Sequence, residues 1–227
     1  MDNTYVIMPI GGLCNYLRVL FSYYKYCQSI NKHLICIWRV TSHCPGFFLD
    51  YFEPLKNATI IPVNNNYKID HEGFYCHPNY ESEKMFIYEE LKLRPEISND
   101  ISNIISKISN NFTAIHLRRT DHIPLATSRN VYLSESAFID YCKEQSAKAI
   151  YLATDNNVTQ MEFQKIFKGD LYYYEQISSI PYSGMRFTDL KHSIIDLFVC
   201  VEATSFMGTI DSSFSEFISQ LRAQRRK

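Results

Sequence analysis

The chain has no apolar run approaching the roughly 18 to 20 residues that a membrane-spanning helix needs, so none of it is expected to cross a bilayer. It also lacks a charge imbalance. Lys and Arg total 23 against 24 Asp and Glu, a net charge of -1 with pI near 6.6, which withholds the basic footprint of a nucleic-acid binder. Paired cysteines are missing as well. The seven, at 14, 27, 36, 44, 76, 142 and 200, are odd in number and include no C-x-x-C, and a chain of 227 residues does not need disulfide staples. Reduced thiols and a cytoplasmic setting follow as expectations, in keeping with a start that runs from Met1 into apolar TYVIMPI with no basic leader. No G-x-x-x-x-G-K-S/T loop occurs, and GGLCN at 11–15 is not G-x-G-x-x-G. Asp-x-Asp is absent, the nearest approach being Asp70-His71-Glu72. His43, Cys44, His71, Cys76 and His77 are scattered without finger spacing, so no metal site is expected.

What is present is apolar material for one large domain or two small ones, 46% hydrophobic against 21% charged. TYVIMPI (4–10) reads as a strand, GGLCN as a glycine loop, and the stretch after it as a helix with Leu17, Leu20, Phe21, Tyr24 and Cys27 on one face. HLICIW (33–38) and ATIIPV (58–63) read as further buried strands, and residues 64–84 show no period and read as loop. Ile97, Ile101, Ile104, Ile105 and Ile108 predict a helix over 95–110 that ends a first domain, 1–110. Beyond it, over 111–227, alternation is cleaner: strands at 112–117, 149–155, 171–174 and 205–209 alternate with helices at 134–147, 157–167, 188–202 and 212–222. Near-continuous apolar strands between helices predict an α/β fold with parallel sheets covered on both faces, the C-terminal domain being the more regular.

Open parallel sheets bind ligands beyond the carboxyl ends of their strands, and each polar motif of this chain falls at such an end. Arg118 and Arg119 close the strand 112–117, and arginine holds a diphosphate as a planar, permanently charged fork. GTIDSSFS contributes Gly208, the hydroxyls of Thr209, Ser212 and Ser213, and a helix N-terminus that favours anions. Gly11 and Gly12 offer the same in the first half. Taken singly these motifs have plain structural readings: an arginine salt bridge to Asp121, a serine helix cap, a packed core histidine at His116. Asp155 and Asp196 read as buried acids, and Asp196, in the apolar helix SIIDLFVCV, needs hydrogen bonds from backbone or from a ligand base. Joint placement at strand ends favours a nucleotide-diphosphate site.

GGLCNYL, HLRRTD, YLATDN and DLFVCVEATSFMGTIDSSFS, in that order, resemble the ordered motifs of the GDP-fucose-dependent fucosyltransferase superfamily, which includes α-1,6, α-1,2 and protein O-fucosyltransferases. The C-terminal motifs cover most of 112–222, while the first half matches through its glycine loop alone. The resemblance implies a GT-B-like pair of Rossmann-type domains, an acceptor-binding domain at 1–110, and a nucleotide-sugar-binding domain at 111–227. It implies no cofactor beyond the donor substrate GDP-fucose. It further implies that Arg118 holds the β-phosphate with support from Arg119, and that His116 and Asp196 lie near guanine and ribose. Ser212 and Ser213 would meet the diphosphate, and Gly11, Gly12 and Asn15 would form a loop closing over it; Asp155 and Thr209 join this donor-binding set. The expected activity is inverting, metal-independent transfer of fucose to a glycan acceptor, with arginines offsetting the charge released on the phosphate. The glutamate of the α-1,6 pattern is Ala126 here, which leaves His122 or an acid of the first half as candidate base. That departure keeps open an alternative, a catalytically inactive nucleotide-sugar-binding module.

Overall fold

The computed structural model describes residues 3–63, 66–80, 88–108, 111–175 and 188–225. Its strands are β1 (Thr4–Pro9), β2 (His33–Ile37), β3 (Ala58–Ile61), β4 (His71–Gly73), β5 (Thr113–Leu117), β6 (Ala149–Thr154), β7 (Asp170–Tyr172) and β8 (Ser205–Gly208). The helices are α1 (Leu13–Ser29), α2 (Pro95–Ile108), α3 (His122–Ser128), α4 (Glu135–Glu144), α5 (Asn157–Ile166), α6 (Leu190–Glu202) and α7 (Ser213–Arg225). The chain divides into two compact units, Met1–Pro95 and Glu96–Lys227, so the division falls at the first residue of α2 and not after its end. Residues 109 and 110, the expected end of that helix, lie outside the described residues.

In the first unit the strands run β3-β2-β1-β4, all parallel. β1 is followed outward by β2 and β3, and the chain then returns to place β4 on the other side of β1. The packing follows the pattern legible in the sequence: Leu17, Leu20, Phe21 and Tyr24 of α1 are buried, and Trp38 after β2 packs edge-on against Tyr16 at 4.7 Å while its Nε1 donates to the Gly46 carbonyl. β4 corrects the loop expected over 64–84. It has no apolar alternation, being His-Glu-Gly, and exists through its partner: Ile7, Met8 and Pro9 of β1 pair with it, and Asp70 just before it bonds Val6 through both backbone and carboxylate. Positions 64, 65 and 81–84 of that expected loop lie outside the described residues.

The second unit repeats the winding with order β7-β6-β5-β8, again all parallel. Every residue of β5 and β6 is buried, because both faces of the sheet are covered. Ile115, Leu117, Ile150 and Leu152 face Phe138 and Cys142 of α4 and Phe163 of α5. On the opposite face His116 and Tyr151 reach α7 and α6. This is the predicted α/β architecture of two Rossmann-type units. In each, strand order reverses beside the central strand, between β1 and β4 and between β5 and β8, which is where such sheets receive ligands.

Arg222 of α7 bolts the second unit together. It is 7% exposed, and its guanidinium donates to the carbonyls of Cys200, Val201, Ala203 and Thr204, which satisfies the acceptors left open where α6 ends. Replacing it by leucine strands those carbonyls in an apolar interior; we expect Arg222→Leu to lower the unfolding free energy by about 3 kcal/mol in urea titrations, and a loss below about 1 kcal/mol would show the bolt to be incidental.

Candidate nucleotide-diphosphate site

The seam between β5 and β8 is closed at its carboxyl end by Thr209. Its backbone N–H and its hydroxyl both donate to the His116 carbonyl at 3.0 Å, and the hydroxyl oxygen in turn accepts the Arg118 N–H at 2.9 Å. Thr209, 3% exposed, therefore spends its polar groups on the seam. On the other side of β5, Thr154 Oγ1 donates to the Leu117 carbonyl at 2.8 Å. The turn that carries the arginines is thus tied to both neighbouring strands.

The two arginines part company at once. Arg119 is 3% exposed: its Nε donates to Glu135 at 2.8 Å, its Nη2 to the Leu133 carbonyl at 2.9 Å, and its guanidinium lies 5.2 Å from the Tyr132 ring centre. This is a structural cation that anchors the segment before α4, and it does not line the cavity described below. Arg118 is half-buried. Its Nη2 donates to both carboxylate oxygens of Asp121, at 2.7 and 2.9 Å, and its Nε is buried with no hydrogen-bond partner among the described residues. Asp121 is held by Thr120, whose hydroxyl also donates to Asp155 at 2.6 Å, while Asp155 Oδ1 accepts the Arg119 N–H at 3.0 Å. The salt bridge to Asp121 and an anion-binding role are compatible, since the aspartate engages Nη2 and the guanidinium carries further donors.

Arg118, His116, Asp155 and Asp196 line one cavity of about 40 Å³, with Thr154, Thr188, Ser193 and Phe214. The sequence motifs thus meet in space within the second unit. His116 is set by two contacts: Nδ1 bonds Ser215 Oγ at 2.8 Å, and the ring lies 4.6 Å from Phe214. Gly208 makes the first of these possible, because a Cβ there would sit 2.4 Å from Ser215 Oγ. Its close approach serves α7. Ser212 is 2% exposed and its Oγ has no partner among the described residues, an orphaned donor just ahead of α7 and its free N–H groups; Ser213 opens that helix. His122, the candidate base, is buried with Nε2 on the Ile210 carbonyl at 2.9 Å, and it ties α3 to the loop after β8 without lining the cavity.

Asp196 is the most desolvated acid of the site. Tyr151 donates to its Oδ1 at 2.6 Å and His192 Nε2 stands 3.6 Å from Oδ2, all three side chains being buried. Burial pushes its carboxyl well above the usual carboxylate range, against the lowering effect of the Tyr151 bond, and burial brings His192 down to about 4 despite Asp189 nearby. In each case burial disfavours the charged form.

In the first unit, Gly11 has φ of +101°, which an L side chain rarely adopts, and a Cβ on it would meet Asn15 Nδ2 at 2.7 Å. Gly12 follows in extended conformation as the residue before α1. Asn15 thus lies back over the glycine turn at the carboxyl end of β1. Sequence reasoning passed over Thr154, Thr188, Ser193, Phe214 and the pivotal Asp121–Thr120 bonding. Phe214 and Thr154 sit inside quoted motifs, and Ser193 lies one helical turn before Asp196, which is the signal that was available. Among the described residues no group of three His, Cys, Asp or Glu is placed to hold a metal ion, and no helix is long and apolar enough to cross a membrane.

Residues 31–225 match the model of the GDP-fucose protein O-fucosyltransferase family. The chain is 28% identical over 114 residues to GDP-fucose protein O-fucosyltransferase 2 of Caenorhabditis elegans, an alignment covering 49% of this chain and 26% of that protein. It is 25% identical over 216 residues to the protein of the same name from Plasmodium falciparum (isolate NF54), covering 87% of this chain and 41% of that one. It therefore spans well under half the length of these curated relatives. The fold is similar to that of NodZ alpha-1,6-fucosyltransferase of Bradyrhizobium, in a crystal soaked with GDP-fucose, with a TM-score of 0.68 at 16% identity over 96% of this chain and 92% of that one.

The buried pair imposes a pH dependence with opposite signs. The folded pKa of His192 lies below its unfolded value, so its contribution is lost as pH falls from about 6.5 through about 4, up to about 3 kcal/mol. The folded pKa of Asp196 is raised, so its contribution is lost as pH rises from the unfolded value of about 3.9 through the raised one. Urea midpoints measured across pH should show the acid-side loss flattened in His192→Gln and the alkaline-side loss flattened in Asp196→Asn, which keeps an acceptor for Tyr151. Parallel curves for wild type and both variants would contradict the assignment.

Proposed function

The chain belongs to the GDP-fucose protein O-fucosyltransferase family, and from that premise we propose that it transfers fucose from GDP-fucose to an acceptor hydroxyl with inversion and without a metal ion. The observation that carries this reading is Arg118, a permanent cation fixed at the strand reversal by Asp121 on the wall of a polar cavity, with its Nε unsatisfied among the described residues. A diphosphate there would draw on the remaining donors of the guanidinium, and Ser212 Oγ with the first N–H groups of α7 would meet its other oxygens. His116, Phe214 and Asp196 would face the nucleoside. As the bond from fucose to GDP breaks, negative charge accumulates on the β-phosphate, and a guanidinium held in place before the reaction offsets it without reorganisation. The acceptor proposed is a saccharide; the curated relatives are named for protein acceptors. A cytoplasmic setting, favoured by the odd cysteine count, belongs to the same proposal.

One observation favours a second reading, a nucleotide-sugar-binding module without turnover. Ala126, which stands where the α-1,6 pattern has glutamate, is 1% exposed on α3, and His122 on the same helix is engaged by a carbonyl. Activity separates the two. Arg118→Ala should lower fucose transfer about a hundredfold or more and weaken GDP binding while leaving urea unfolding unchanged. Unchanged turnover in that variant would remove the arginine from the mechanism. EDTA should leave the rate of the wild type as it is, and a requirement for added manganese would contradict charge compensation by arginine alone.

A further inference from the structure

Residues 73–77 leave β4 at the carboxyl edge of the first sheet, and both ends of this stretch are anchored. The Gly73 carbonyl accepts the Ile10 N–H at 3.1 Å, and the His77 N–H donates to Ser22 Oγ at 3.0 Å. The His77 ring stacks on Tyr26 with centres 4.0 Å apart and 17° between planes, and the His71 ring stacks on Tyr23 at 4.5 Å. Between these anchors Phe74 and Tyr75 stand 51% and 69% exposed, their ring centres 4.3 Å apart and their planes inclined by 36°. A lone exposed aromatic is ordinary; two adjacent ones, presented together from a fixed segment, are what a binding surface requires. Holding them in place beforehand removes much of the ordering cost of a ligand.

Charge at the same edge narrows the ligand class. Glu72 of β4 lies two residues before Phe74, and Arg39, beyond the end of β2, reaches it at 3.8 Å with both side chains about half exposed. An ion pair this exposed adds little stability, so its planar fork and its carboxylate are available for hydrogen bonds. Ring faces beside such a pair complement a pyranose, whose C–H face packs on an aromatic ring and whose hydroxyl rim both donates and accepts. An apolar peptide or acyl chain would desolvate the ion pair without replacing its hydrogen bonds, and a nucleic-acid backbone would meet the carboxylate.

We propose that Phe74 and Tyr75, flanked by Arg39 and Glu72, form a saccharide-binding subsite of the first unit that holds the acceptor glycan, the word acceptor alone resting on the transferase reading above. Sugar and nucleotide are then read by different units of the chain.

The test uses the full chain and four neutral probes, chitotetraose, cellotetraose, maltotetraose and lacto-N-tetraose, in saturation-transfer NMR and calorimetry, with GDP titrated into the same samples. At least one saccharide should bind the wild type, bind about tenfold more weakly to Phe74→Ala/Tyr75→Ala, and keep its affinity in Tyr75→Phe, which preserves the ring face. Urea unfolding like that of the wild type checks that the variants are folded, and GDP affinity that the second unit is intact. Equal saccharide binding by wild type and double variant would overturn the subsite, as would a wild type that takes GDP and none of the four sugars. Absence of GDP binding in the wild type would instead overturn the nucleotide reading, with the saccharide data still deciding for or against Phe74 and Tyr75.

Discussion

The site hangs on the three hydrogen bonds that Thr209 makes across the seam between β5 and β8. Parallel strands that reverse their order leave a gap at the carboxyl end, and a gap lined by backbone carbonyls and N–H groups is costly unless those groups are paired. Thr209 pairs them from one residue. In doing so it fixes the direction in which the chain leaves β5, and with it the place of Arg118. The bond from Arg118 N–H to the threonine hydroxyl means that the cation is positioned by its backbone before its side chain meets anything. Asp121, Thr120 and Asp155 then set the guanidinium from the other side.

A buried strand can end on two arginines because the two charges are handled differently. Arg119 turns into the protein, where Glu135, a carbonyl and aromatic faces neutralise and cover it. Arg118 stays at the cavity with one edge satisfied. The division is physical: full burial demands full pairing, and only the half-buried residue retains donors for a ligand. The acids follow the same logic, since Asp155 is consumed by the backbone of the arginine turn while Asp196, deep in the unit, has its charged form disfavoured by desolvation and is paired with Tyr151.

Most of the fold was legible because it is written in periodicity. The apolar runs of β1, β2, β5 and β6 and the helical faces of α1, α6 and α7 announce themselves; strand-end placement pointed to Arg118 and Asp155 beside His116, while Asp196 stood out as an acid in an apolar helix, and the four line one cavity. What was not legible depends on partners distant in the chain. β4 is three polar or small residues that become a strand through β1 and Asp70. α3 is seven residues with little apolar pattern, tied down by the His122 bond to Ile210. Arg119 and Thr209 looked like ligand groups from their positions, and only the neighbours supplied by α4 and by β5 reveal that their polar atoms are engaged within the protein. Gly208 likewise answers to Ser215, a contact no local motif encodes.

Calorimetric titration of the intact chain with GDP, UDP and ADP tests the central claim most directly, because all three share the diphosphate and differ in the nucleoside. The account predicts that GDP binds and that UDP and ADP bind at least about tenfold more weakly, the cavity walls from His116 to Asp196 reading the base beyond what Arg118 contributes. Equal affinity for the three, or no affinity for GDP, would contradict it.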